Sequence, residues 1–349
     1  MKLFRYPVLV FENIIVLLDP IPLVSLSFCS RKTRERIKRV RFAIKDAWFG
    51  NVIQGEQGFF LEVKFPKTSN CLFVDSAGLT REGKKEFKKF SIRIGDTPYI
   101  CRYSDLEEHS LVIDCIGFKK TSIFFNYILD LVRAKITDVT FDLKKLDNVK
   151  KFISKRCFQN VQNIDLEGEN APVKKVMELY DCLEKPVLQT IVNTHIKSLR
   201  PTSKLLHSEN LSINPSKFIS IEHLLNFNGK YIYLNLSSLR EEQIVAFIKH
   251  WLDGNYPNLE GAFITTLIES AFEKEKVLNE FNTKQWNPAE RTQNFIFKAS
   301  YYRDRKKGFP KIDCSNGHDL ERNDGLMATI LFRGQDSYFN FFVWHNRFP

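Results

Sequence analysis

The chain has 349 residues, of which 43% are hydrophobic and 13% aromatic, with 31 phenylalanines against only 15 glycines and 13 prolines. That length allows two or three domains with a substantial core, and the composition excludes a disordered, collagen-like or small disulfide-stapled chain. Its 52 basic and 41 acidic residues give a net charge of +11, which favours an acidic partner, nucleic acid or protein, without choosing between them.

Taken in order, residues 1–48 read as three short helices. Phe11, Ile14, Ile15 and Leu18 recur at i, i+3, i+4 and i+7, and Asp19-Pro20-Ile21-Pro22 breaks the pattern. Leu23, Leu26 and Cys29 mark a second helix. Ser30 or Thr33 caps a third, on which Ile37, Val40, Ile44 and Ala47 or Trp48 form one stripe. From residue 50 to 117 the period moves toward two, at Phe59-Leu61-Val63-Phe65, Leu72-Val74, Ile92-Ile94, Ile100-Arg102 and Leu111-Ile113, and residues 121–134 return to a helical pattern.

Residues 136–267 repeat a theme of one short strand followed by a helical stretch, with strand anchors at Val139, Ile164, Ile191, Leu211, Leu234 and Ala262. Their separations fall in or near the ~20–29 residues of leucine-rich repeats. The asparagine that closes such repeats is missing, so the body is leucine-rich-repeat-like, with an irregular α/β domain as the alternative. A charged helical stretch at 269–281 and a polar, basic connection follow. The turn Asn323-Asp324-Gly325 then leads to strands at 327–332 and 338–344, an aromatic-rich hairpin expected to pack at least one face.

Signals for chemistry are weak. Gly78, Gly83 and Lys84 have the spacing of a phosphate-binding loop, and Leu111-Val112-Ile113-Asp114 resembles its acidic companion, but Lys85 stands where a magnesium-binding hydroxyl belongs. Cys314 and His318 are within chelating distance but cannot alone complete a tetrahedral site. No nucleophile elbow, zincin or dinucleotide fingerprint occurs, so neither enzyme chemistry, a cofactor nor a metal is expected. The seven cysteines (Cys29, Cys71, Cys101, Cys115, Cys157, Cys182, Cys314) are scattered and odd in number, which points to a reducing compartment, cytoplasmic or nuclear. No apolar run reaches the ~20 residues of a membrane span. Residues 31–41 carry Arg31, Lys32, Arg34, Arg36, Lys38, Arg39 and Arg41, a solvated basic face that is also the best candidate for nucleic-acid contact.

A more specific pattern occupies the first 33 residues. Pro7 precedes Val10, Phe11, Ile14, Ile15 and Leu18, followed by Leu23, Leu26, Cys29, Ser30 and Arg31. This spacing resembles an F-box, the helical module that docks on the small acidic adaptor of cullin-RING ubiquitin ligases. Tyr6, Leu9, Pro22 and Thr33 depart from it. Asp19-Pro20 with Ser27-Phe28-Cys29-Ser30-Arg31-Lys32-Thr33 is similar to the divergent F-boxes of a large nematode family, which also carries a type 2 F-box-associated domain near the C-terminus. The hairpin Asp319-Leu320-Glu321-Arg322-Asn323-Asp324-Gly325, with Phe341-Phe342-Val343-Trp344, is similar to the end of that domain.

The resemblance implies an α/β chain in three parts: an F-box at 1–48, a small β-rich connection ending in a helix at 49–135, and a leucine-rich-repeat-like body with a terminal hairpin at 136–349. It implies a substrate-recognition adaptor of an SCF-type ubiquitin ligase. Pro7, Val10, Phe11, Ile14, Ile15, Leu18, Leu23, Leu26 and Cys29 would meet the acidic adaptor, and the body would hold an unknown target protein. The alternative is a nucleic-acid-binding protein using residues 31–41.

Overall fold

The structure, a computed structural model, describes residues 6–42, 44, 46–53, 56–65, 71–76, 88–103, 110–114, 118–266, 271–298 and 310–348. The phosphate-loop-like segment at 78–84 lies outside them. The chain is a mixed α/β protein that divides into two compact units, Met1–Gln162 and Asn163–Pro349.

The first unit opens with α1 (Val8–Val16), α2 (Pro20–Phe28) and α3 (Arg31–Arg39). Each start has a local cause. Pro7 stands at the N-cap of α1, and Pro20 at the first position of α2 needs no amide partner there. The Ser30 hydroxyl accepts the Thr33 amide at 3.0 Å, so Ser30 rather than Thr33 caps α3. The third helix is shorter than its apolar spacing suggests. Val40 is already extended, and Ala47 and Trp48 begin β1 (Ala47–Ile53) instead of completing a helical stripe.

Strands β2 (Glu56–Lys64), β3 (Cys71–Asp75), β4 (Lys88–Ile94), β5 (Thr97–Tyr103) and β6 (Ser110–Asp114) follow, then α4 (Phe118–Val132), β7 (Ile136–Phe141) and α5 (Val149–Ile153). The sheet order is β7-β1-β2-β3-β6-β5-β4, with β1/β7 and β3/β6 parallel and the other pairs antiparallel. Gly50 is required in β1: a Cβ there would lie 2.2 Å from the Phe60 ring. The core is aromatic. Phe49 is buried among Phe59, Phe118, Phe125, Phe141, Phe152 and Phe158, at centroid distances of 5.2–6.2 Å.

The second unit begins with β8 (Asn163–Leu166), α6 (Val173–Asp181), β9 (Gln189–Val192), β10 (Asn210–Ile213), α7 (Ile221–Leu225), β11 (Tyr231–Leu234), α8 (Glu241–Leu252) and β12 (Gly261–Thr265). These five strands are parallel and neighbour one another in chain order. Ile164, Thr190, Leu211, Ile232 and Ala262 form one register row, all buried. The period-two anchor at Ile191 is therefore one residue out of phase, because a one-residue step turns a strand side chain to the other face. Thr190 fills the inward place, with its hydroxyl 3.0 Å from that of Tyr180 and 2.7 Å from that of Ser208.

After α9 (Lys274–Leu278) come β13 (Lys284–Gln285), β14 (Asn294–Ile296), β15 (Lys311–Asp313), β16 (His318–Glu321), β17 (Met327–Arg333) and β18 (Tyr338–Trp344). Of the charged helical stretch expected at 269–281, residues 269 and 270 lie outside the described residues, and within 271–281 the helix is confined to Lys274–Leu278. The aromatic hairpin extends the parallel sheet, since β18 pairs antiparallel with β12, and β17, β16 and β13 follow. Both of its faces are covered. Phe341 packs edge-on against Phe247 and Trp251 of α8. On the other side, Phe295 of the two-stranded β14-β15 sheet stacks on Phe342 at 4.7 Å and meets Trp344 at 5.3 Å.

The cysteines offer a simple check on this packing. Cys314 is fully buried, and burial pushes its thiol up to about 12 against the lowering influence of Arg291, whereas Cys29 is exposed. Iodoacetamide at pH 8 should alkylate Cys29 in the native protein and reach Cys314 only after unfolding, because the thiolate is the nucleophile. Peptide mapping by mass spectrometry that found both labelled natively at equal rates would contradict the burial of Cys314.

Candidate functional site

The nine residues singled out by the F-box spacing do not form one exposed surface. Phe11, Ile15 and Leu23 are buried inside the first unit. Ile14, Leu18 and Leu26 are half-buried, while Pro7, Val10 and Cys29 are exposed. On α1 the buried pair is spaced by one turn, and the opposite side of the helix carries Leu9, Val10, Asn13 and Leu17. Leu9 is 73% exposed and Leu17 at the helix C-cap 76%, with Val8 and Tyr6 also open at the N-terminal end.

Scattered single exposed leucines need no explanation, but Leu9, Val10 and Leu17 share the side of α1 turned away from Phe11 and Ile15, while Val8 opens at the N-terminal end three residues before Phe11 and Tyr6 precedes the helix. The sequence pattern assigned Val8, Leu9 and Leu17 no docking role, because Phe11, Ile14, Ile15 and Leu18 already satisfied the helical period. The available signal was that α1 is apolar nearly all round, as a helix with two buried sides would be.

Helices α2 and α3 rest on α4. The Ser27 hydroxyl lies 2.9 Å from that of Tyr127, and Phe28 stacks on the Tyr127 ring at 4.9 Å. Arg34 and Lys38 both reach Asp130 at 3.0 Å, and the Arg34 guanidinium lies 4.4 Å from the Tyr127 centroid. Partial burial pushes the Asp130 carboxyl up, but the hydrogen bonds and charges of Lys38 and Arg34 outweigh it and hold the group below its usual range. Arg36 sits over the Phe11 ring at 5.9 Å. Part of the basic run at 31–41 therefore faces inward and fastens the helices, while Arg31, Lys32, Arg39 and Arg41 remain exposed.

In the second unit, the position three residues after the last inward strand residue, where asparagine was sought, holds serine after Ile213 and Leu234 (Ser216 and Ser237) but Glu169 after Leu166 and His195 after Val192. Ser216 is fully buried and donates to the Asn235 carbonyl at 2.8 Å; the Ser237 hydroxyl accepts the Leu239 amide at 3.2 Å. Directly after the strands, Asn193, Asn214 and Asn235 form a polar edge. The Asn235 amide donates to Asn214 at 2.9 Å, and Asn193 donates to Glu167 at 3.0 Å. Among the described residues no group of three or more His, Cys, Asp or Glu side chains is placed to hold a metal. The buried Cys314 thiol instead donates to the Ile312 carbonyl at 3.4 Å. Among the described residues no helix is long and apolar enough to cross a membrane.

Residues 202–264 match the family described as F-box associated, a stretch that runs from just before β10 through β12. The terminal hairpin lies outside the matched residues. The chain is 22% identical to the Caenorhabditis elegans protein F59B2.9 over 100% of its own length and 80% of that protein's. To F59B2.8 of the same organism it is 21% identical, over 94% and 74% of the two chains. Toll-like receptor 2 of Ovis aries is 25% identical over 71% of this chain and 32% of the receptor. No solved structure matches the chain. The second unit thus contains a stretch that matches the F-box-associated family, and the chain is similar to Caenorhabditis elegans proteins along nearly its whole length.

Proposed function

We propose that the protein is the substrate-recognition subunit of an SCF-type cullin-RING ubiquitin ligase. Its N-terminal helices serve as a divergent F-box that docks on the acidic adaptor subunit, and its leucine-rich-repeat-like second unit holds a target protein. The observation that carries this reading is the outward apolar side of α1, with Leu9 and Leu17 open while Phe11 and Ile15 lock the helix to the unit beneath. A helix anchored on one side and apolar on the other fits helix-in-groove recognition. The exposed cations of α3 would speed encounter with an acidic partner. The parallel strands in chain order, with buried Ser216 and Ser237 in the closing positions, support the repeat-like body. In this role the protein recruits and catalyses nothing.

Nucleic-acid binding through residues 31–41 is the second reading. It is weakened by Arg34 and Lys38, whose charges are directed to Asp130. The test is an affinity capture with the full chain from a nuclease-treated and an untreated extract. Recovery of the acidic adaptor in both supports the ligase role; recovery of nucleic acid without the adaptor would overturn it.

A further inference from the structure

Behind α4 lies a cleft of about 610 Å³, the size of a ligand site, that neither the helical module nor the repeat-like body accounts for. Its floor is apolar, made by Leu129 and Ala134, and its wall includes Cys157. Its rim is polar and open. Asp130, Arg133 and Lys135 contribute charges, and Asn126, Gln159 and Asn160 contribute amides.

The conformation of Arg133 is the informative feature. Helix α4 ends in a Schellman motif, in which the Ala134 amide donates to the Leu129 carbonyl at 3.0 Å and Arg133 takes the left-handed position with φ of 57°. That position is ordinarily glycine, because a Cβ is penalised there. Here it carries a long cation that lies exposed at the cleft. Lys135 is exposed two residues on, and among the described residues neither side chain has an ion pair. The acid at the rim, Asp130, is already matched by both Arg34 and Lys38, so the cleft keeps an excess of positive charge.

We propose that this cleft binds an acidic peptide segment of a partner protein. Arg133 and Lys135 would receive carboxylates, the amides of Asn126, Gln159 and Asn160 would pair with peptide groups, and an aliphatic side chain would rest on Leu129 and Ala134. The lining holds no aromatic ring on which a base would stack, which favours a peptide over a nucleotide or single-stranded nucleic acid. The inference stands apart from the ligase reading, since the cleft involves no residue of the outward side of α1 and its test needs no ligase subunit.

The test is fluorescence-polarisation titration of the full chain with a labelled seven-residue peptide of alternating Asp, Glu and Leu, beside its Asn and Gln counterpart. The acidic peptide should bind and the amide peptide should not. Arg133→Gly should weaken binding at least ten-fold while the melting temperature stays equal or rises, because glycine suits the helix end better. Lys135→Gln should weaken it several-fold, and Arg133→Lys should retain most of it. Inorganic phosphate at millimolar concentration should compete only weakly. Equal binding of both peptides, no binding of the acidic one, or full binding by Arg133→Gly would overturn the proposal. So would displacement of the acidic peptide by an equimolar single-stranded oligonucleotide.

Discussion

Replacing Arg291 with methionine should destabilise the second unit by about 3–5 kcal/mol, the usual cost of leaving a buried charge without its partner. Arg291 is fully buried and clamps Asp319 with two nitrogens, Nε at 2.9 Å from Oδ2 and Nη2 at 2.9 Å from Oδ1. Two further donors go to the carbonyls of Thr292 and Cys314, both at 2.9 Å, and its guanidinium lies 4.7 Å from the Trp344 centroid. Asp319 also accepts the Thr329 hydroxyl at 2.6 Å, and Thr329 in turn accepts Trp344 Nε1 at 2.8 Å. One ion pair thus joins the segment before β14 to β16, β17 and β18. Because domains retain only about 5–15 kcal/mol in total, the loss is a large share of the unit's stability. Trp251, Trp286 and Trp344 belong to this unit and Trp48 to the first, so urea unfolding followed by tryptophan fluorescence in a Trp48→Phe background reads it. The double change Arg291→Met with Asp319→Leu should recover part of the loss, since no lone charge remains, but not all of it, since Thr329 and the Cys314 carbonyl each lose one of their partners. A single variant as stable as the parent would contradict the network.

Phe49→Ala should have a comparable effect on the first unit, about 3–5 kcal/mol, because removing a buried ring adds the cost of an unfilled cavity to the lost transfer energy. The six surrounding rings come from β2, α4, β7, α5 and the turn after it, and Phe118 and Phe152 already stack on each other at 4.0 Å. Walls that are already packed cannot collapse into the space. Unfolding of this unit is followed by the fluorescence of Trp48, the tryptophan of the first unit, in a background with Trp251, Trp286 and Trp344 replaced by phenylalanine. A loss under 1 kcal/mol would show that the rings repack freely.

These two residues also mark where the sequence was legible. Strands at 136–264 and at 327–344 were read from period-two apolar residues, which report burial of one face directly, and the first two helices from residues spaced by three and four. Longer-range choices were hidden. Nothing near Val40 signalled that the stripe of Ile37 and Val40 would stop for a strand at Ala47; the cause is pairing of β1 with β2 and β7, well downstream. Arg291 lies in a polar stretch that reads as a surface connection, and its partner Asp319 is supplied by another strand. The outward apolar residues of α1 were overlooked for the opposite reason: a single helical period explains one side of a helix and hides the second. Arg133 gives no sequence signal, since its left-handed conformation is a property of the folded helix end.

The central claim is that the outward side of α1 docks on the acidic adaptor, and titration calorimetry of the full chain with purified adaptor tests it most directly. Leu9→Asp with Leu17→Asp places two carboxylates on side chains that are exposed in the free protein, so the fold should keep its melting temperature. In the complex those carboxylates would be desolvated without partners, and affinity should fall at least a hundred-fold. The account predicts tight binding by the parent chain and its loss in this variant with an unchanged melting curve. Unaltered affinity in the variant, or no binding by the parent, would contradict it.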